Sequence, residues 1–433
     1  MKSVTMMVVR LNRTFKKDTT MTTILNIANE LSKKCDLKII RPTFYKNTPN
    51  ENILDQIPVS IYDFKHAFEI LDKVKPDFIL NMSGYEVIGL SFTIAANIKK
   101  IPVIKVFDLN PDFMKDWNTF EAFKAKTITA FSKTALEDVT GEKNNLISNF
   151  KFLFRKFKFL FNTIKFSNIS NFYFFSLILL IFFSLVTKND MKIQKQFQAD
   201  LNFCSTQKWI DTLISNGFRK SGLVLTGSCT YDELYSKTQE LVFTKEKIKK
   251  IIFCPSPMHG YGYWSKDKED QLIISTVNTI LKSGIYDISI KLHPVGHNIE
   301  DFRKISKDFL KEVPIYQPEN LIDLLISHDL MITSGASGVT LYAHLLKYPV
   351  ISIITDDSDL KYNPYFSPKL SVRCKNPNEI ISSIENYTLL KVVNRDYDLF
   401  YKEFLGTFDG RSSERMSSEI LKILDTKIRK KSE

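Results

Sequence analysis

The 433-residue sequence predicts two doubly wound α/β domains in tandem that face a cleft. Short apolar runs rich in Val and Ile alternate with stretches of helical periodicity, which is typical of parallel sheets covered by helices on both faces. This alternation occurs twice, in a chain long enough to fill two hydrophobic cores of ordinary size. The content of 44% hydrophobic and 25% charged residues is that of a globular protein.

The first predicted domain is a Rossmann-like half spanning residues 1–218. We expect its strands in the runs VTMMVV, LKII, DFILNM, PVIKVF and, closing the sheet, ADLNFCST. Helices are predicted over residues 22–33, 64–74, 87–97 and 209–216. Because helices separate the strands, the strands are expected to run parallel.

The second predicted domain is Rossmann-like as well and spans residues 219–390. Its strands are expected in SGLVLTGS, KIIFCPSP, DISIKLHP, PIYQ, LMITSG and PVISII, with helices over 269–282, LIDLLISH and 339–346. Residues 391–433 are predicted to form C-terminal helices that pack back across the domains. In open sheets of this kind ligands bind outside the carboxyl ends of the strands, so residues that follow strands are the candidates for a site.

The net charge of +12 does not indicate a nucleic-acid-binding protein. Much of the excess is local, since eight Lys or Arg and a single acid lie between residues 151 and 195. No zinc finger, helix-turn-helix or aromatic RNA-binding signature accompanies it. Nucleic acid is therefore not an expected partner.

The five cysteines are scattered without a CxxC pair, which is typical of reduced, buried thiols in a cytosolic setting. The apolar run at the N-terminus is too short for a signal peptide. No metal or other cofactor is predicted, because the one contender for a metal site, TDDSD at 355–359, is expected to be an exposed loop.

Residues 145–195 are predicted to be a membrane-associating helical insertion in the first domain. Residues 166–187 carry no charge over 22 positions, enough at about 1.5 Å per residue to cross a bilayer core. Before them, Lys151, Arg155 and Lys158 recur at helical spacing among Phe and Leu, the pattern of a basic amphipathic helix on an anionic membrane surface.

A single crossing by this insertion would divide the first domain between two sides of a membrane, because ADLNFCST completes the sheet begun by VTMMVV. We therefore expect residues 151–187 to form a hairpin or an in-plane pair of helices, which holds the protein at the cytoplasmic face of the membrane. The alternative is that both helices belong to the core of the first domain.

Three loops that follow predicted strands form a candidate phosphate site. IKLHPVGHN places Lys291 and His293 directly after a strand, with Pro294 to fix the turn. SPMHGYGYW follows another strand and carries His259 beside Gly260, which permits close approach of the backbone. An HP dipeptide by itself would more simply be a surface histidine.

The third loop, TSGASGVTLYAH, leads into a predicted helix. Its candidate ligands are Ser334, Gly335, Ser337, Gly338 and, in the first turn, Thr340. Backbone N–H groups at a helix N-terminus bind anions. The three loops together predict a nucleotide-diphosphate site.

The order of these motifs resembles the GT-B superfamily. The motifs are FCST, LTGSCTYDEL, SPMHGYGYW, KLHP, TSGASGVTLYAHLLKYPVI and FDGRSSERMSSEIL. Within the superfamily the chain is most similar to the CDP-glycerol glycerophosphotransferase and capsule polysaccharide synthesis families, and more distantly to non-hydrolysing UDP-N-acetylglucosamine 2-epimerases. The resemblance covers most of the chain outside 145–195. It implies that His293 and the serine-rich turn contact donor phosphates, and that residues 409–415 lead into a structural last helix.

The resemblance to the epimerases is incomplete at the positions of their carboxylates. Where they have an acidic pair after the glycine turn, this chain has Leu341 and Tyr342. Two further acidic positions are displaced by one residue, onto Glu86 and Asp108. Epimerisation needs acid and base groups at the sugar, so these departures favour a transferase.

The sequence thus predicts an enzyme that transfers a glycosyl or polyol-phosphate group from a nucleotide-activated donor to a surface polysaccharide or lipid-linked acceptor. The second domain would stabilise the leaving diphosphate through loop amides, Lys291 and His293. The first domain would bind the acceptor and supply a catalytic base, for which Glu86 and Asp108 are candidates. Such an enzyme leaves the configuration of the donor sugar unchanged.

Two alternatives remain open. A 2-epimerase-like isomerase would convert a free nucleotide sugar without an acceptor, whereas an inactive scaffold of a polysaccharide-assembly complex would bind no nucleotide.

Overall fold

A computed structural model describes residues 2–10, 19–43, 56–82, 87–108, 146–167, 197–240, 248–260, 263–293, 296–317, 319–335, 338–357, 360, 365–390 and 397–432. The chain divides into two compact units. One comprises Met1–Glu233 together with Lys402–Glu433, and the other comprises Leu234–Tyr401.

In the described residues, the first unit contains a seven-stranded sheet whose strand pairs are all parallel. Its strands are β1 (Ser3–Val9), β2 (Asp36–Thr43), β3 (Ile57–Ser60), β4 (Phe78–Asn81), β5 (Val103–Phe107), β6 (Leu201–Cys204) and β7 (Leu223–Leu225). They lie in the order β3-β2-β1-β4-β5-β6-β7. The strand order reverses between β1 and β4, which makes the carboxyl ends of this pair the topological switch point of the sheet.

Helices connect these strands along the chain. The helices of this part of the chain are α1 (Thr19–Ser32), α2 (Ala67–Val74), α3 (Val87–Lys99), α4 (Leu146–Phe166), α5 (Gln207–Ser215) and, across the unit boundary, α6 (Asp232–Glu240). Polar side chains cap the N-termini of two of these helices. The side chains of His66 and Thr206 accept hydrogen bonds from the first turns of α2 and α5.

Helix α4 contains the helix predicted over 151–165. One of its faces belongs to the core of the first unit, because Phe159, Leu160 and Ile164 are buried and α4 packs on α3. For this face of α4, the alternative that the helix belongs to the core of the first domain is therefore right. Beyond Ser167 the charge-free segment 166–187 lies outside the described residues, as does most of the insertion 145–195. None of the helices in the described ranges has both the length and the apolarity that a membrane crossing requires.

The second unit contains, in its described part, a six-stranded parallel sheet. Its strands are β8 (Lys250–Pro255), β9 (Asp287–Lys291), β10 (Ile315–Tyr316), β11 (Leu330–Ser334), β12 (Val350–Ile353) and β13 (Val372–Cys374). Their order is β10-β9-β8-β11-β12-β13. The switch point lies between β8 and β11, so loops that follow these two strands are adjacent.

The helices that follow along the chain are α7 (Lys266–Ser283), α8 (Ile299–Ile305), α9 (Leu321–Ser327), α10 (Gly338–Leu345), α11 (Ile380–Leu390), α12 (Tyr397–Phe404) and α13 (Ser412–Ser432). Capping residues define both ends of helix α7. Ser265 caps its first turn, and Gly284 ends it in a left-handed conformation. The predicted two-domain parallel α/β fold is confirmed by the two sheets.

Helix α13 belongs to the first unit, where it packs on α1. Its residues Met416, Ile420 and Leu424 are buried in the same core as α1. The carboxylate of Asp232 accepts hydrogen bonds from the backbone N–H groups of Ser412 and Ser413, which satisfies the free donors of the helix start. The segment that leads into the last helix is therefore structural.

The compact units divide at Glu233 and Tyr401, whereas the sequence analysis placed the divisions at 218 and 390. The first unit is longer because β7 pairs with β6, and the C-terminal part of the chain returns to it from 402 onward. All five cysteines are buried and unpaired, as expected of reduced thiols.

Candidate functional site

The carboxyl ends of β9, β8 and β11 meet at one edge of the second sheet. The loops after β8 and β11 touch directly, since the backbone N–H of Ser256 donates to the carbonyl of Ser334 at 3.2 Å. The loops after β9 and β8 are equally close, because a Cβ on Gly260 would lie 2.9 Å from the carbonyl oxygen of Gly296. The structure thus brings the three predicted loops together at the switch point.

Gly335 makes the turn after β11 possible. Its φ is +65°, and a Cβ there would lie 2.6 Å from Sδ of Met258. Only glycine combines this backbone conformation with that contact at little cost. Gly338 then opens α10, with no atom within 4 Å of the place where a Cβ would stand. Ser337, between them, lies outside the described residues.

Two hydroxyl groups at this edge are buried without a hydrogen-bond partner among the described residues. They belong to Ser256, which is 2% exposed, and Thr340, which is fully buried. Buried polar atoms in native proteins are nearly always paired, so such orphans indicate a ligand or bound water. Thr340 was predicted from the sequence. Ser256 was missed, although its position directly after an apolar strand could have identified it.

His293 offers a neutral N–H donor at the end of β9. Its Nδ1 accepts a hydrogen bond from the backbone N–H of Gly296 at 2.8 Å, so Nε2 carries the proton of the neutral ring. Burial, with smaller contributions from the charges of His297 and Lys291, lowers the pKa of His293 to about 4. The ring is therefore uncharged at physiological pH and can act on a phosphate through its hydrogen bond.

Glu269, in the first turn of α7, ties two of the loops together. One carboxylate oxygen accepts from the backbone N–H of His259, and the other lies 3.3 Å from Nε2 of His297. Nδ1 of His297 in turn accepts from the backbone N–H of His293 at 3.0 Å. Glu269 was not predicted as a site residue, because an acid in the first turn of a helix is ordinarily a solvent-exposed side chain that interacts favourably with the helix dipole.

The side chain of Lys291 is used in hydrogen bonds to the backbone of the second unit. Its Nζ donates to the carbonyl oxygens of Leu292 and Gln317, both at 2.8 Å, and burial lowers its pKa. The ammonium thus holds the end of β9 to the segment after β10, and its predicted contact with phosphate stays a prediction. His259 is exposed, and its Nδ1 lies 3.3 Å from the carbonyl oxygen of Trp264, which requires the proton on Nδ1.

In the first unit, Asp108 directly follows β5 at the carboxyl edge of the sheet. The residue is partly accessible, its Oδ1 is buried, and the hydroxyls of Ser228, Thr230 and Thr23 lie around the carboxylate. Oδ2 accepts a hydrogen bond from Oγ1 of Thr230. Burial raises the pKa of Asp108, and the hydroxyls of Ser228 and Thr230 offset only part of that effect. A carboxyl group with a raised pKa is suited to acid–base catalysis near neutral pH.

The other acid predicted for catalysis, Glu86, lies outside the described residues. Arg10, which sequence reasoning missed, follows β1 at the switch point of the first sheet and is 6% exposed. Within the described ranges, no three His, Cys, Asp or Glu side chains converge as metal ligands. Asp357 of the TDDSD loop is exposed and pairs with Arg373 at 2.6 Å.

Comparison with solved structures shows the same fold over nearly the whole chain. A UDP-GlcNAc 2-epimerase from Neisseria meningitidis bound to UDP-GlcNAc is 13% identical, with a TM-score of 0.51 over 97% of this chain and 100% of that one. The UDP-GlcNAc 2-epimerase of Methanocaldococcus jannaschii is 15% identical, with a TM-score of 0.52 over 97% and 99%. Anabaena HepE in complex with UDP is 11% identical, with a TM-score of 0.52 over 98% and 100%. No protein-family model and no curated protein matches the sequence.

At these identities the similarity concerns the fold, and it supports the predicted GT-B-like architecture. The resemblance to glycerophosphotransferases and capsule synthesis proteins stays a prediction.

The first prediction concerns His293. Replacing His293 with Ala is expected to weaken binding of a nucleoside diphosphate, the ligand class that the three loops predict, by about 1.5 to 3 kcal/mol, the range for a hydrogen bond to a charged group. His293→Asn should lose less, because its side-chain oxygen can accept from the backbone N–H of Gly296 as Nδ1 does. Isothermal titration of the common nucleoside diphosphates into the wild type and both variants measures the difference. Unchanged affinity in both would move the phosphate site away from β9.

Proposed function

We propose that the chain is an enzyme of nucleotide-diphosphate sugars that inverts the sugar at C2, as a 2-epimerase does. The observation that carries the proposal is Asp108, a buried carboxyl group with a raised pKa directly after β5, at the carboxyl edge of the first sheet. The similarity of fold to UDP-GlcNAc 2-epimerases along their whole length supports it. This puts the isomerase ahead of the transferase that the motifs favoured.

The chemistry explains why the carboxyl group matters. Inverting a sugar carbon requires a proton to leave from one side and another to arrive on the opposite side, so the enzyme needs groups that accept and donate protons. A carboxyl group of ordinary pKa is a poor acid at neutral pH. Asp108 is better matched because burial raises its pKa, and Glu86 is the second candidate that the sequence offers.

The second unit holds the diphosphate in this proposal. His293 donates from a neutral ring, and the hydroxyls of Ser256 and Thr340 supply further donors that the protein itself leaves unpaired. The amide groups at the start of α10 add their dipoles. Donors that need no rearrangement stabilise phosphate charge at little cost.

A transferase is the second candidate function. The observation in its favour is α10, where Leu341 is buried and Tyr342 follows at the positions that hold acids in the epimerases. A transferase needs one base and an acceptor hydroxyl, for which a glycan or lipid-linked acceptor remains the prediction.

Deuterium exchange tests the proposal. We expect UDP-GlcNAc incubated with the protein in deuterated water, without any acceptor, to gain deuterium at C2 and to yield the C2 epimer. Proton NMR of the sugar measures both outcomes. Absence of exchange together with release of UDP only when an acceptor is added would establish the transferase instead. A protein that binds neither UDP nor UDP-GlcNAc would be a scaffold.

A further inference from the structure

Helix α4 exposes three aromatic side chains in a row. Phe154, Phe157 and Phe161 are 63%, 38% and 45% exposed, and their spacing places them on one side of the helix. Exposed cations flank them, namely Arg155, Lys158 and Lys165. These six residues are the α4 outer face. Single exposed apolar residues are ordinary, but a row of phenylalanines with cations beside it marks an interaction surface.

The orientation of α4 is fixed by its opposite side. Phe159 and Ile164 are buried, and Oγ1 of Thr163 accepts a hydrogen bond from the backbone N–H of Ala67 at 3.1 Å. The side-chain amide of Asn162 donates to the carbonyl of Lys65 at 3.1 Å. The helix cannot turn its aromatic row inward without breaking these contacts, so the outer face points away from the described core, on the side where a partner would bind.

The charge of α4 indicates what that partner is. The helix carries five Lys or Arg and no acid over its 21 residues. A second copy of the chain docked by two-fold symmetry would bring this face against itself, and like charges would repel. The sequence that follows continues without a charge from Phe166 to Thr187. Cations beside aromatic rings suit a surface that is anionic outside and apolar beneath.

We propose that the α4 outer face binds the surface of an anionic lipid bilayer. The three phenylalanines enter the boundary between headgroups and acyl chains, about 5 to 10 Å deep, while Lys158 and Lys165 contact lipid phosphates and Arg155 stays over the ring of Tyr62, 5.0 Å from its centroid. Helix α4 lies in the plane of the membrane in this arrangement. Its buried side keeps its contacts within the first unit.

A fluorescent label on the face tests the proposal directly. The five natural cysteines are buried, so Phe161→Cys in the full chain provides one accessible thiol for an environment-sensitive dye. The probe is a vesicle of phosphatidylglycerol and phosphatidylcholine, compared with a vesicle of phosphatidylcholine alone. We expect a blue shift of emission with the anionic vesicle. The control Lys307→Cys, on the exposed surface of the second unit, should show none.

Removal of charge gives a second measurement. Lys158→Gln with Lys165→Gln should weaken partition onto the anionic vesicle by about 25-fold, since each cation near such a surface contributes about fivefold. The control pair Lys307→Gln and Lys311→Gln removes the same charge elsewhere and should change partition little. Raising the salt concentration should reduce the difference between the pairs.

Three outcomes would overturn the proposal. The protein could fail to bind anionic vesicles at all. It could bind them while the dye at position 161 still reports water, which would assign binding to another segment. The dye could also shift without vesicles as protein concentration rises, which would make the face a contact between copies. Each result is independent of whether the chain isomerises a nucleotide sugar.

Discussion

Under the proposed isomerase function, Asp108→Asn is expected to lower turnover of the nucleotide sugar by about 10²- to 10⁴-fold, the usual contribution of a general acid or base. An amide cannot exchange a proton with the reacting carbon, yet it keeps the size of the carboxyl group and still accepts from Thr230. Steady-state rates at saturating substrate measure the loss. The matched control is Asp211→Asn on the exposed face of α5, which should retain the wild-type rate.

The same substitution is expected to stabilise the first unit at neutral pH. Burial raises the pKa of Asp108, so the folded protein binds this proton more tightly than the unfolded chain does. The wild type therefore loses stability as pH rises from the ordinary value of 3.8 through the raised folded-state pKa. The amide has no such loss, so the advantage of the variant should be small at acidic pH and grow towards neutrality.

Denaturant unfolding of both proteins over a series of pH values tests this claim. A variant that is slower and more stable would show that Asp108 is kept for its chemistry at a cost in stability. A variant with wild-type turnover would remove Asp108 from catalysis. If the stability of the wild type and of the variant changed with pH in the same way, burial would not disfavour the charged form of the Asp108 carboxyl group.

The strands were predictable where they are buried on both sides. MMVV in β1 and IIFC in β8 read as continuous apolar runs because helices cover both faces of a parallel sheet. Edge strands carry a weaker signal, and two of the four were missed. Strand β3 is partly exposed and contains Pro58, and β13 has only three residues, whereas β7 and β10 lie within the predicted runs SGLVLTGS and PIYQ.

The position of His293 could be predicted from the sequence, but its protonation state could not. A polar residue directly after a strand lies at the ligand-binding edge of an open sheet. The neutral ring, in contrast, depends on Gly296 and on burial, which appear only in the folded chain. The same applies to Lys291, which resembles a phosphate ligand in sequence. Its ammonium is engaged by a carbonyl 26 residues away, at Gln317.

The strongest effect on stability is expected for Gly406→Ala, at the point where the chain returns to the first unit. Gly406 has a φ of +73°, and a Cβ there would lie 2.0 Å from the carbonyl oxygen of Ser205. That oxygen is backbone and follows β6 at the carboxyl edge of the sheet, so it cannot swing aside as a long side chain would. We expect a loss of about 4 kcal/mol or more in the free energy of unfolding.

Gly284→Ala separates the two causes of this loss, which are strain in the backbone at positive φ and collision of the new Cβ with the carbonyl oxygen of Ser205. Gly284 has a similar φ of +67°, but no atom lies within 4 Å of its would-be Cβ, so the substitution adds backbone strain without a collision. It should cost about 1 to 2 kcal/mol. Denaturant unfolding followed by circular dichroism compares the variants, and equal losses would contradict the role of the Ser205 contact. A much larger loss at Gly406 would show that its close approach to Ser205 holds the C-terminal segment against the first sheet. The same segment leads into α13, which packs on α1, and Asp108 lies at the carboxyl edge of that sheet.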